Sequence, residues 1–185
     1  RPNITTNEVE SLLYLCIDLS EGASAKHYPI TYLSKPPPGG WTDEYRTNLL
    51  VLRRIPAGTF RMQKLYDMTV SHDFYLGIFE LTQKQWELVM GKNPSHFQLD
   101  VGPVEMVSYN DIRGGKKGRR WPLSADVDPE SFMGLLRART GLSFDLPTST
   151  QWEYACKAGT GPRKWNDGTI IEYSDFLRYT ICISK

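Results

Sequence analysis

Apolar positions recur with a period near two over residues 13–19, which predicts a strand that Ser20-Glu21-Gly22 closes with turn formers. Residues 28–33 read as a second short strand, and residues 48–55, dense in Leu, Val and Ile, as a third. Pro56-Ala57-Gly58 then turns the chain before Thr59 and Phe60. Residues 69–81 predict one more strand, with Gly77 marking a bulge or a close backbone approach. From there the period becomes helical. Over 82–90, Thr82 can cap, Gln85 closes a capping box, Trp86 with Val89 or Met90 forms the buried face, and Gly91 stops the run. Ser108 can cap a short helix at 108–113. Asp128-Pro129-Glu130 places an N-cap, an N1 proline and an early acid ahead of a helix at 128–140, with Phe132, Leu135, Leu136 and Ala138 on its apolar face. Gly141 ends it and residues 142–146 return as a short strand. A last helix at 148–158 is bracketed by Thr148 with Gln151 and by Gly159, and stacks Trp152, Ala155 and Cys156 on one side. Beyond Gly159 the pattern weakens into a Trp165-Asn166-Asp167-Gly168 turn and an aromatic, β-branched tail.

The pattern also suggests where the chain divides. Residues 35–41 hold three prolines and two glycines, which deny backbone donors and loosen the backbone on the C-terminal side. Residues 1–47 are accordingly expected to form an N-terminal arm and a Pro/Gly-rich linker, and residues 48–185 the domain. Asn3-Ile4-Thr5 matches a glycosylation acceptor. With Arg1 in first place and no basic-then-apolar leader, the sequence is expected to be a processed product or a piece of a longer one.

Charge narrows the picture by exclusion. Twenty-two basic residues against 21 acidic ones leave no global bias toward nucleic acid or an anionic membrane. No stretch approaches the roughly 18 apolar residues of a membrane span. The run from Arg113 to Arg120 packs five cations among three glycines and is expected to be a mobile, solvated loop rather than a nucleic-acid patch. Cys16, Cys156 and Cys182 lack CxxC spacing and read as buried or incidental thiols, with a redox role most plausible for Cys182. His27, His72 and His96 lack metal spacing, and His72-Asp73, adjacent in a strand, would point to opposite faces. Glu80 and Glu153 stand among bulky apolar residues, so each is expected to be a buried carboxylate with a structural hydrogen-bonding role. Trp86 and Trp152 are core anchors by the same logic.

Three separated stretches are more specific. Ile55-Pro56-Ala57-Gly58-Thr59-Phe60-Arg61-Met62 comes first, and Phe74-Tyr75-Leu76-Gly77-Ile78-Phe79-Glu80-Leu81-Thr82-Gln83 runs on to Trp86 and Asn93-Pro94-Ser95. Pro103-Val104-Glu105 then leads to Leu146-Pro147-Thr148-Ser149-Thr150-Gln151-Trp152-Glu153 and Gly159. In this order they resemble the formylglycine-generating enzyme, or sulfatase-modifying factor, family over about residues 49–168, the N-terminal part of that domain. The resemblance marks Pro56, Gly58, Phe60, Gly77, Glu80, Thr82, Trp86, Pro103, Val104, Pro147, Thr148, Trp152, Glu153 and Gly159 as structural signature residues. It implies an α+β fold related to C-type lectins, with short irregular antiparallel sheets and about four short helices, incomplete at its C-terminus. Two departures stand out: the loop after Met62 is shortened, and Thr148-Ser149-Thr150 replaces a Thr-Glu-Ala turn.

Active relatives, the resemblance implies, convert a sulfatase cysteine to formylglycine with oxygen and a copper ion held by two cysteines, and bind structural calcium. The copper cysteines lie in a C-terminal signature that has no match here, and the calcium ligands fall mostly after Asp167. No catalytic, copper or calcium residue is therefore carried over, and no cofactor is expected. The chain reads as a non-catalytic, bacterial member acting as a scaffold for a protein or small-molecule ligand, secreted or at the cell surface. The alternative is the front portion of a copper-dependent oxidase. Nucleic-acid contact through residues 113–120 is the weakest reading. An incomplete sheet would also leave an open edge, with self-association as the consequence.

Overall fold

Strand β1 (Tyr14–Asp18) is buried along nearly its whole length, so both faces of its pleat need cover. The computed structural model describes residues 12–157 apart from Lys64 and Lys117, and the backbone of Cys182–Ser184. β1 lies between β2 (Ile30–Leu33) and β3 (Leu49–Ile55), and β6 (Phe74–Gly77), β8 (Cys182–Ser184) and β7 (Phe144–Asp145) extend the sheet in the order β2-β1-β3-β6-β8-β7. Every pairing is antiparallel. A separate hairpin joins β4 (Gly58–Met62) to β5 (Tyr66–Val70). Four α-helices complete the described residues: α1 (Gln83–Met90), α2 (Tyr109–Arg113), α3 (Phe132–Thr140) and α4 (Ser149–Lys157). This is the α+β architecture of short antiparallel sheets and short helices that the motifs implied.

The two faces of the sheet are covered differently. Leu15, Ile17, Leu50, Leu52 and Tyr75 join Trp86 and Val89 of α1 and Phe132, Met133 and Leu136 of α3 in the main core. Trp86 stacks on Phe132 with ring centroids 4.8 Å apart and planes within 5°. On the opposite face Tyr14, Cys16 and Val51 lie under Trp41 and Tyr45. A third cluster, Val70 and Phe74 with Ile55, Phe60, Leu76, Tyr154 and Ala155, seats the hairpin and α4 on the same side.

Residues 1–47, expected to be an arm, thus supply two strands of the sheet. The segment between them is locked as well. Tyr28 is fully buried, with its hydroxyl 3.0 Å from the carbonyls of Gly22 and Leu88. Arg139 donates to that hydroxyl, to Val89 O and to Ala23 O. A cation thereby sits against the C-terminal carbonyls of α1, where the helix dipole favours it.

Two other expectations need correcting. The single strand at 69–81 is two strands in different sheets, because Asp73 takes the chain out of line: it accepts from Arg54 Nε at 2.8 Å and from the Ala57 amide at 2.8 Å. Gly77 pairs in unbroken register with Leu52, so it marks no bulge. The helix expected from Asp128 starts at Phe132, with Ser131 as N-cap accepting from Gly134 N at 3.2 Å. A Cβ at Gly134 would lie 2.2 Å from Asp128 O, so the preceding turn is folded tightly onto the first helical turn.

Removal of residues 1–47 should abolish cooperative thermal unfolding, since β1 covers β3 and contributes to both faces of the core. Tyr28→Phe should cost about 1 kcal/mol in urea unfolding by deleting the shared hydroxyl. A truncated chain that melts like the full one would contradict this account.

Candidate functional site

The first and last signature stretches meet around α4. Gly58 lies directly against it, where a Cβ would lie 2.3 Å from the Tyr154 hydroxyl and force that side chain to shift. Phe60 and Tyr154 pack with centroids 5.3 Å apart. Glu153, buried as expected, accepts from the Gln63 amide at 2.7 Å and from Lys157 Nζ at 2.5 Å. Gln63 has a φ of +48°. The buried carboxylate therefore fastens a left-handed turn of the hairpin, and Lys157, which also donates to Arg61 O, neutralises it. Trp152 is buried beside it, Pro147 is buried just ahead of the helix, and Thr148 accepts from Gln151 N at 3.2 Å. Pro56 is exposed in the β3–β4 turn. Gly159 lies outside the described residues.

The middle stretch organises a loop. Thr82 and Gln85 form the expected capping box, and Thr82 also donates to Arg46 O at 2.6 Å. Pro103 bridges to Thr82, and Val104 is buried. Glu80 is half-buried rather than buried. The unforeseen residue is Gln83, which is buried and donates to Phe97 O at 2.8 Å while accepting from Asn93 Nδ2 and Leu99 N, each at 3.0 Å. Glu105 accepts from the amides of His96 and Phe97. Loop 93–106 is thus stitched at both ends, yet Phe97, Leu99 and Met106 are 77%, 58% and 72% exposed. Met106 holds a φ of +58°, uncommon outside glycine.

The basic run departs furthest from expectation. Arg113 has no exposure; it donates to Asp145 through Nε at 2.6 Å and Nη2 at 2.9 Å, and reaches the carbonyls of Gly118 and Asp126. Arg137 donates to the same carboxylate at 2.9 Å. The glycines serve close packing: a Cβ at Gly114 would lie 2.2 Å from the Asp128 carboxylate, and one at Gly118 2.2 Å from Arg113 O. Gly114 and Gly118 are thus packed against the Asp128 turn and the end of α2 (Tyr109–Arg113), where Arg113 is buried, while Lys116 and Arg120 remain exposed. Trp121, next in the chain, lies under the Arg113 guanidinium, 5.0 Å from its ring centre.

Two clefts flank α4. One, of about 590 Å³, is mainly apolar, with Ile55, Leu76, Ile78 and Tyr154 in its walls and Arg53 and Cys156 at its border. The other, of about 380 Å³, lies between the β5–β6 corner, Trp121-Pro122 and the start of α4. In that corner Ser71 Oγ is 2.8 Å from His72 Nδ1, and both residues are exposed.

The described thiols do not suit a paired-thiolate copper site. Cys16 is buried among Tyr14, Val51, Trp41 and Tyr45, and burial pushes its thiol up to about 11. Cys156 is exposed on α4, and desolvation, with the neighbouring Glu153 charge, raises its pKa as well. Copper takes the thiolate, the form both surroundings disfavour. Among the described residues no group of three or more His, Cys, Asp or Glu is gathered for a metal. No described helix is long and apolar enough to cross a membrane.

Comparison with known proteins gives two findings. Residues 44–178 match the sequence model of the sulfatase-modifying factor enzyme 1-like domain. The chain is 33% identical over 125 residues to the "Chaperone protein LppX" of Paenibacillus barcinonensis; the alignment takes in 57% of this chain and 44% of that relative, so the chain spans less than half its length. No solved structure matches the chain.

Glu153→Ala should destabilise the protein by about 3 kcal/mol in urea unfolding, because it leaves Lys157 and the Gln63 turn without their buried partner. The thiols should separate kinetically: at pH 8 a disulfide reagent modifies Cys156 in the native protein and Cys16 only after unfolding, as peptide mapping would show. Since the Cys16 pKa is raised on folding from 9.0 to about 11, its stabilising contribution is complete below pH 9 and lost as pH rises through 11. Cys16→Ala should flatten the stability profile over that window.

Proposed function

Because the chain belongs to the sulfatase-modifying factor enzyme 1-like domain family, we propose that it uses this scaffold to bind a protein partner and carries out no oxidase chemistry of its own. The observation that carries the reading is loop 93–106. Buried Gln83 and the Glu105 carboxylate hold its backbone, while Phe97, Leu99 and Met106 face outward. Apolar side chains on a fixed loop suit a contact surface, because little conformational freedom is lost when a partner covers them. Met adds a side chain that adapts to varied apolar surfaces. Two signature residues support the same reading: Glu153 and Thr82 are engaged in internal hydrogen bonds, as is Gln85 beside Thr82, which suits a structural role. The relative described as a chaperone suggests the kind of partner, a protein segment with apolar side chains not yet buried.

Reduced, carboxymethylated α-lactalbumin, a permanently unfolded client, tests this directly. The protein should bind it with micromolar affinity and ignore the native form, and Phe97→Ser with Met106→Ser should weaken binding about tenfold or more. Failure to bind, or binding indifferent to both substitutions, overturns the proposal. In parallel, copper-loaded protein should leave a sulfatase-type cysteine peptide unmodified; formylglycine formation would restore the oxidase reading.

A further inference from the structure

The 380 Å³ cleft at the start of α4 is separate from the exposed loop and is unlike it in chemistry. Its volume falls in the range of roughly 300–1,000 Å³ typical of small-ligand sites. Only two of its lining residues, His72 and Asp73, carry titratable side chains, and no lysine or arginine is among them. Asp73 is already matched: Arg54 donates to its Oδ2 through Nε at 2.8 Å and Nη2 at 2.5 Å, and the Ala57 amide donates to Oδ1. A ligand bearing phosphate or carboxylate would find no lysine or arginine there, and a cationic one no unmatched carboxylate.

Trp121 adds a constraint of its own. Arg113, buried and held by Asp145, lies over the indole at 5.0 Å. A second cation brought to the same ring would be repelled by the first, so the indole serves the cleft as an apolar platform. The same cleft is lined by small hydrogen-bonding groups. Ser71 engages His72 Nδ1, which leaves Nε2 for a ligand. The Thr150 hydroxyl has a long contact, 4.0 Å, to the Met62 sulfur.

We propose that this cleft is a binding site for a neutral, hydroxyl-rich ligand of the saccharide class. The C–H face of a pyranose ring lies against Trp121, and its hydroxyl edge meets His72, Ser71 and Thr150. The ring's two-sided character, one face apolar and the rim polar, matches a lining that combines an indole with hydroxyl and imidazole groups.

Ligand-observed saturation-transfer NMR and calorimetry with glucose, N-acetylglucosamine, maltotetraose and chitotetraose test the site. At least one should bind saturably, with saturation delivered to ring C–H protons. Binding confined to the tetrasaccharides identifies a polymeric glycan, and equal binding of the monosaccharides a free sugar. Trp121→Ala should weaken binding at least tenfold. Because that substitution also removes a neighbour of Arg113, His72→Ala, at an exposed corner, provides a second variant that should weaken binding at least threefold with an unchanged melting curve. Absence of saturable binding to all four sugars, or affinity within twofold of the parent in both variants, overturns the site. Client binding through Phe97 and Met106 is read separately, so failure of either proposal leaves the other standing.

Discussion

A guanidinium with no solvent contact has to find protein partners for its donors, and Arg113 sets that requirement at the centre of this fold. Asp145 meets it from β7 (Phe144–Asp145), Gly118 and Asp126 meet it from the adjoining loop, and Trp121 covers the flat face. Taking such a pair out of water costs several kcal/mol per ion, so the arrangement holds only when all of its hydrogen bonds form together. Arg137 brings α3 (Phe132–Thr140) into the same carboxylate and reaches Phe144 O at 2.7 Å. One aspartate thus fixes α2, α3, the glycine-rich loop and the short strand that leads into α4 (Ser149–Lys157).

The same economy of polar groups recurs elsewhere. Glu153 holds the hairpin turn, Gln83 holds loop 93–106, and Arg139 with Tyr28 ties the first two strands to two helix ends. Each buried polar group closes a loop that has no regular ladder of its own. This is how a chain rich in glycine, proline and short elements becomes rigid. Rigidity then makes the surface usable: Phe97, Leu99 and Met106 are displayed by a loop whose backbone has little freedom left to lose.

The outer side of the main sheet is the least uniform part of the protein. Trp41 and Tyr45 cover it at one end, and α4 with the β4–β5 hairpin covers it at the other. The two clefts open on either side of α4, where the first and last signature stretches come together. The first and last of the stretches by which the family is recognised are therefore the ones that seat this helix. They position the clefts and take little part in lining the polar one beyond the start of the helix.

Local rules reached far in this sequence. The capping box at Thr82, the cap at Ser108, the stops at Gly91 and Gly141, and the core roles of Trp86 and Trp152 arise from local spacing, and the structure contains them. The burial of Glu153 was legible too, from a carboxylate set among bulky apolar neighbours. What stayed hidden depends on partners far away in the chain. Arg113 meets Asp145 across 32 residues, Gln63 meets Glu153 across 90, and Tyr28 meets Arg139 across 111. No periodicity encodes such pairings. A cation beside glycines reads as solvated until the fold supplies a carboxylate and removes the water, and a strand before a proline-rich stretch reads as an arm until a neighbour pairs with it. The sequence by itself determined most of the elements, several of their caps and the family; the tertiary structure decided where the 69–81 segment breaks and which charges are buried, because both depend on what distant parts of the chain bring to the same place.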